Sequence, residues 1–295
     1  MRASFSTHDV SRDTPVSKFD SSRLLCYERL RFWGAWMFIT LRSTRVLAAS
    51  FSVIFLCGFS EIPFFSFEEP VGQVIGSYSK GTLTNPSVFP REGEGFTHLF
   101  HYRNRYYGSS GLIDILKKSA AELFQAYPEG ERLQLGDLSA ERGGFVSGHA
   151  SHQNGLDVDL VYLRMNYEEQ DPSIPNGFQE SFVVKGKVTR NFDFQRNWRF
   201  FQIVHSSGRL NRIFVAPEIK EALCHYAGYT VTSEDEVESA IQVLRRLRPY
   251  KNHADHMHLR LTCPETSPDC NPQEEMPEGS GCNSIRWFEV ERELP

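Results

Sequence analysis

The sequence has no apolar run of about eighteen residues, the length at which a helix becomes a candidate membrane span. Its longest uncharged apolar stretch, Val46 to Phe59, is about 14 residues. No Cys-x-x-Cys pair occurs among the six cysteines, which argues against a zinc held by thiolates. No block of like charge is long enough for a nucleic-acid tail. The formal net charge is −5, and residues 1–60 carry eight Lys/Arg against four Asp/Glu. The rest therefore holds 24 basic and 33 acidic residues, or −9. Charge gives a polyanion-binding groove no support, and no nucleic-acid partner is expected. There is no internal repeat and no regular β–α alternation, which argues against a doubly wound sheet.

What is present begins with a leader pattern. Arg42-Ser43-Thr44-Arg45 precedes the apolar run from Val46, the arrangement of a secretory signal peptide. An N-terminal membrane anchor is the alternative, since Phe32–Leu41 is also apolar. Met37 gives a leader of ordinary proportions if it is the true start. Residues 1–62 are thus expected to be extension and signal, and 63–295 a single domain. Cys57 follows Leu56, too bulky for a lipid-modification site. Export removes Cys26 and Cys57 and leaves Cys224, Cys263, Cys270 and Cys282, an even number that suggests two disulfides. Four cysteines allow three connectivities. Cys263 and Cys270 bracket Pro264 and Pro268, so a short closed loop is the natural pair, and Cys224–Cys282 then ties the tail to the body.

The periodicities alternate between helix and strand. Leu112, Ile115, Leu116, Leu123 and Phe124 follow a helical period ended by Pro128. Arg132–Asp137, Asp157–Leu163, Arg212–Ala216 and Met257–Leu261 read as strands. Phe194–His205 reads as a helix after Asp193. Pro217 opens a helix and Gly228 follows its end. Ser233-Glu234-Asp235-Glu236 is a capping box for a helix that Pro249 ends. The fold class is α+β, with a mostly antiparallel central sheet and flanking helices. Phe96–Tyr107 is aromatic and basic, either a strand edge or the wall of a binding cleft.

Two stretches carry the chemistry. His149, His152, Asp157 and Asp159 fall within eleven positions, and His253, His256 and His258 follow about a hundred residues later. Imidazole and carboxylate are zinc ligands. His152 and Asp159 are seven apart, a spacing that suits a loop residue folding back onto the next strand. His256 and His258 are two apart in a strand, so they share a face. If one binds metal, the other stands where a general base must be. Singly, each of these histidines reads as a surface or core-edge residue; it is the density of the clusters that argues for a metal. His98, His101, His205 and His225 have no such company and read as structural.

At these residues the sequence resembles the penicillin-insensitive murein endopeptidase family, within the lysostaphin, D-Ala-D-Ala peptidase and hedgehog N-domain group of zinc folds. The group's motif is H-x6-D followed by H-x-H, here His152…Asp159 and His256-Met257-His258. The longer family form also stands: Gly148-His149-Ala150-Ser151-His152-Gln153, Gly155-Leu156-Asp157-Val158-Asp159, and Arg260-Leu261 with Cys263-Pro264. The resemblance runs from about Val71 to Phe288. It implies a zinc peptidase domain over 63–295, with zinc in a cleft on the sheet, held by His152, Asp159 and His258. It implies His256 as general base to a zinc-bound water, His253 steadying the transition state, and His149 lining the site or touching a second metal. Asp157 lies at the wrong place in the motif and is expected to orient a histidine rather than bind. The implied substrate is the D-Ala–meso-diaminopimelate cross-link of peptidoglycan, cleaved in the periplasm, with no stable membrane association after signal removal. Competing functions are a zinc carboxypeptidase or LD-endopeptidase on stem peptides, and a non-catalytic wall-binding module.

Overall fold

The computed structural model describes residues 72–287, apart from 176, 284 and 286. The expected leader, Met37 and Cys57 lie outside the described residues. The chain opens with a hairpin, β1 (Gln73–Ser77) and β2 (Lys80–Thr84). Short strands β3 (Ser87–Val88), β4 (Glu92–Gly93), β5 (Phe96–His98) and β6 (Tyr107–Gly108) follow. Helix α1 (Ser110–Ala126) leads to β7 (Leu133–Leu135) and β8 (Asp157–Val161). A small hairpin of β9 (Val183–Val184) and β10 (Lys187–Val188) precedes α2 (Phe194–Ser206) and β11 (Leu210–Val215). Helices α3 (Pro217–Thr230) and α4 (Glu234–Arg246), then β12 (Leu247–Pro249) and β13 (His256–Leu261), complete the fold.

Seven strands form one sheet in the order β12-β11-β13-β8-β7-β5-β4. The sheet is mixed: four of its six neighbour pairs are antiparallel and two are parallel. β12 runs parallel to β11, and β5 parallel to β7, while β11, β13, β8 and β7 are mutually antiparallel neighbours. The parallel partner β12 was not expected. Its three residues follow α4 directly, so the proline that was to end the helix instead closes a strand. Pro249 sits at its last position, where a missing N–H costs the ladder least.

Local chemistry sets the helix boundaries. Ser109 caps α1 by accepting from the Leu112 N–H, and Asp193 caps α2 by accepting from Arg196; each satisfies one orphan amide of a first turn. Pro217 opens α3, but the helix continues through Gly228 to Thr230. At α4 the Ser233 hydroxyl accepts from the Glu236 N–H as expected, yet the Glu236 carboxylate reaches Thr232 rather than Ser233.

One face of each central strand is core. Val158, Leu160, Met257, Leu259 and Leu261 are fully buried, each contributing roughly 1.5–3 kcal/mol by leaving water. Leu112, Leu116, Ala120 and Leu123 cover the buried side of α1, and Phe200, Phe201 and Val204 that of α2. The disulfide Cys263–Cys270 closes the loop after β13, and Cys224–Cys282 ties the tail to α3. No helix among the described residues is long and apolar enough to cross a membrane.

Candidate active site

The pairing of β8 with β13 assembles the chemistry. Its register sets His258 opposite Asp159 and Arg260 opposite Asp157. Alternation along each strand sends Val158 and Leu259 into the core, and Asp157, Asp159, His256, His258 and Arg260 to the other face. The loop before β8 then folds back. Gly143, in that loop, has φ +67, and a Cβ there would lie 2.2 Å from the Gln153 carbonyl, so only glycine fits. His152 is also left-handed, at φ 66, a conformation that costs a non-glycine residue energy. Asp157 holds it there, its Oδ2 accepting from the His152 backbone N–H at 2.9 Å.

Three ligand-type atoms meet at the centre. His152 Nε2 lies 3.3 Å from Asp159 Oδ1 and 3.2 Å from His258 Nδ1, and the latter two are 3.1 Å apart. Hydrogen-bond bookkeeping fixes one imidazole. His152 Nδ1 is 2.8 Å from the Leu138 carbonyl, which only accepts, so Nδ1 carries the proton and Nε2 a lone pair. His258 Nε2 lies 3.2 Å from Asp157 Oδ1. That approach is a charge contact rather than an aligned hydrogen bond, because Nε2 has no partner of proper geometry. Arg260 in turn grips Asp157 through Nε at 2.7 Å and Nη2 at 3.1 Å. Asp159 Oδ1 is buried without a hydrogen-bond donor.

Buried charge decides the titration. Burial alone would lower His258, but Asp157 and Asp159 outweigh it and raise the imidazole to about 9. Burial alone would raise both aspartates. His258 and Arg260 instead hold Asp157 down, and His152 and His258 hold Asp159 well below the carboxylate range. A cation is therefore favoured at the centre, supplied by a proton on His258 in the metal-free protein. A metal bound there would displace that proton.

The donor set fits zinc. Bonds of about 2.0–2.1 Å to a tetrahedral ion put ligand atoms roughly 3.3 Å apart, close to the 3.1–3.3 Å observed. His149 stands on the other side of Asp159, its Nδ1 3.5 Å from Oδ2. His149, His152 and Asp159 each offer an atom, and the three lie within 4.8 Å of one another, close enough to hold a metal.

The other histidines line a cavity of about 610 Å³ over the centre, with Phe178, Phe214, Lys251 and Arg260. His256 Nδ1 is 2.7 Å from Asp255 Oδ1, leaving Nε2 free and 3.9 Å from Asp159 Oδ1. Phe178 stacks on its ring at 4.5 Å and 21°. His253 Nδ1 donates to the Lys251 carbonyl at 2.9 Å, and its ring lies 4.9 Å from that of His256. Burial, with His256 and His258 adding, lowers its pKa. His149, His152, Asp159, His253, His256 and His258 thus line one cleft, and Asp157 lies buried behind His258.

Three participants had not been singled out. Asp137, buried, accepts from Arg103 at 3.1 Å and Arg105 at 2.9 Å and meets His149 Nε2 at 3.0 Å. Burial would raise this carboxyl, but the His149 bond and the two guanidiniums hold it below its ordinary value. The alternation of Arg103 and Arg105 in the aromatic-basic stretch was the available signal. Phe178 and Asp255 carried none, since a loop phenylalanine and a surface aspartate look alike in any sequence.

The comparisons agree with this geometry. A family model described as penicillin-insensitive murein endopeptidase matches residues 74–295. A penicillin-insensitive murein endopeptidase of Haemophilus influenzae is 31% identical over 266 residues, covering 85% of this chain and 87% of the relative. Its namesake in Klebsiella pneumoniae (strain 342) is 30% identical over 237 residues, covering 77% and 81%. The Pectobacterium atrosepticum namesake is 32% identical over 227 residues, covering 74% and 75%. With a family match over most of its length and relatives above the identity at which family is secure, this chain belongs to the penicillin-insensitive murein endopeptidases, a family of metallopeptidases.

Proposed function

We propose that the chain is an exported, zinc-dependent DD-endopeptidase that hydrolyses D-Ala–meso-diaminopimelate cross-links of peptidoglycan. The observation that carries the reading is the triangle of His152 Nε2, Asp159 Oδ1 and His258 Nδ1, with edges of 3.1–3.3 Å and an aspartate oxygen lacking any donor. These three residues hold the ion; His149 lines the site beside Asp159. When bound, zinc polarises the scissile carbonyl and lowers the pKa of a coordinated water to about 7.

The chain supplies the proton handling. His256 accepts a proton at Nε2, because its Nδ1–H is committed to Asp255. It then delivers that proton to the leaving amine nitrogen as the amide C–N bond breaks. Phe178, stacked on the ring, fixes its plane. Asp157 orients His258 and takes no part in the bond changes. His253, to which the resemblance assigns transition-state support, keeps its Nδ1–H on the Lys251 carbonyl and turns Nε2 towards the cleft. Two disulfides suit an oxidising compartment such as the periplasm.

The test is cleavage of purified cross-linked muropeptides, read by mass spectrometry with and without a chelator and with zinc restored. The expected products are the two monomers split at the D-Ala–diaminopimelate amide, in a zinc-restored reaction. Release of terminal D-Ala alone, cleavage at an LD bond, or no cleavage by metal-loaded protein would overturn the reading.

A further inference from the structure

The cleft holds two permanent cations among its described lining residues, and they differ in their partners. Arg260 is already committed: Nε and Nη2 grip Asp157, and Nη1 donates to Gln273 at 2.7 Å. Lys251 lines the same cavity, is exposed, and its ammonium has no hydrogen-bond or ion-pair partner among the described residues.

The backbone beneath Lys251 is anchored. The Tyr250 N–H donates to the Val215 carbonyl at 2.8 Å, and the Lys251 carbonyl accepts from His253 Nδ1 at 2.9 Å. The Tyr250 ring meets Phe214 and His253 edge-on, each at 5.5 Å. Asn252 completes the turn at φ 65. A free ammonium on a flexible four-carbon stem therefore starts from a fixed point beside His253 and His256.

Resting on the endopeptidase reading, the substrate's own chemistry says what that charge meets. The scissile nitrogen of a D-Ala–diaminopimelate cross-link is borne by a carbon that also carries a free carboxylate. Docking the amide over the metal centre brings this anion into a cleft whose one guanidinium, Arg260, is already committed to Asp157. We propose that Lys251 binds the free α-carboxylate next to the scissile nitrogen, so that the chain selects cross-links in which this carboxylate is not amidated. A charge-assisted bond of this kind is worth about tenfold or more in affinity.

Two cross-linked muropeptide dimers, identical except that this carboxylate is free or amidated, provide the test, using zinc-loaded full-length protein and the variants Lys251→Gln and Lys251→Arg. On the free-carboxylate dimer, Lys251→Gln is expected to raise KM roughly tenfold with little change in kcat, while Lys251→Arg retains most of the affinity. For the wild type, amidation is expected to cost a similar factor. The two losses should not add, so the glutamine variant on the amidated dimer performs about as well as either single change alone. Unchanged zinc content in the variants checks the fold. Fully additive losses, or a wild type indifferent to amidation, overturn the Lys251 assignment and leave the endopeptidase reading standing. A wild type that splits neither dimer at the cross-link overturns both.

Discussion

Two buried imidazoles, His98 and His258, titrate in opposite directions. His98 and His258 are exposed by only 2% and 7%. His98 packs edge-on to His101 at 5.4 Å and Tyr106 at 6.2 Å, and neither ring nitrogen has a partner. Burial, with His101 next, lowers it to about 4. His258 loses comparable hydration, yet carboxylates at 3.1 and 3.2 Å raise it to about 9. Burial by itself turns an imidazole into a neutral packing ring. Carboxylates on the facing strand turn it into part of a site that wants a cation, and the strand register, not the histidine, makes the difference.

Removing the carboxylate that His152 and His258 share should have the largest effect. Asp159→Ala leaves two imidazoles without their counter-charge, and two ligands rarely hold a catalytic zinc. The purified variant should carry no stoichiometric metal and show no cross-link cleavage, with its circular dichroism unchanged. Retained stoichiometric zinc would mean that His149 or another residue replaces it.

A smaller effect is expected two residues back along the strand. Asp157→Asn keeps the shape of the group but removes the charge that orients His258 and receives Arg260. Metal affinity or activity should fall by about 10–100-fold, the usual effect of losing a residue behind a ligand. Competition with a chelator of known affinity measures it. Complete loss of zinc in a folded protein would make Asp157 a ligand.

The aromatic cluster supplies the other side of the comparison, with the smallest effect on catalysis. His98→Phe should leave zinc content and cleavage within about twofold, because neither ring nitrogen of His98 has a hydrogen-bond partner to lose. Its signature is in stability. A buried histidine with its pKa at about 4 binds fewer protons than the unfolded chain below about pH 6.5. Stability is therefore lost as pH falls from about 6.5 towards 4, by about 2 kcal/mol at pH 5. Urea midpoints at pH 7 and pH 5 should fall further for the wild type than for His98→Phe. Equal slopes would show that His98 titrates normally.

The stretches that form the candidate metal site were legible because their chemistry is local to two strands. Spacing of two in a strand puts His256 and His258 on one face, and the loop-to-strand turn brings His152 onto Asp159. The helix starts at Asp193, Pro217 and Ser233 were legible for the same reason, since caps act over three or four residues. Long-range features were not. The parallel strand Leu247–Pro249 exists only because Ile213–Val215 lies beside it. Asp137 becomes part of the site through arginines 32 and 34 residues away. Phe178 reaches His256 from a loop whose sequence has no period. Gly228 stays helical because α3 is buried there, so packing overrides its tendency to end a helix.

The central claim is that His258 binds the metal while its strand neighbour His256 moves the proton. Zinc content and muropeptide cleavage, measured together on His258→Ala and His256→Ala, test it most directly. His256→Ala should keep its zinc and its fold and lose roughly 10²–10⁴-fold in turnover, the usual contribution of a positioned acid–base group. His258→Ala should lose both metal and activity. A zinc-free His256→Ala beside a metallated His258→Ala would swap the two roles, and full activity in both variants would contradict the account of the site.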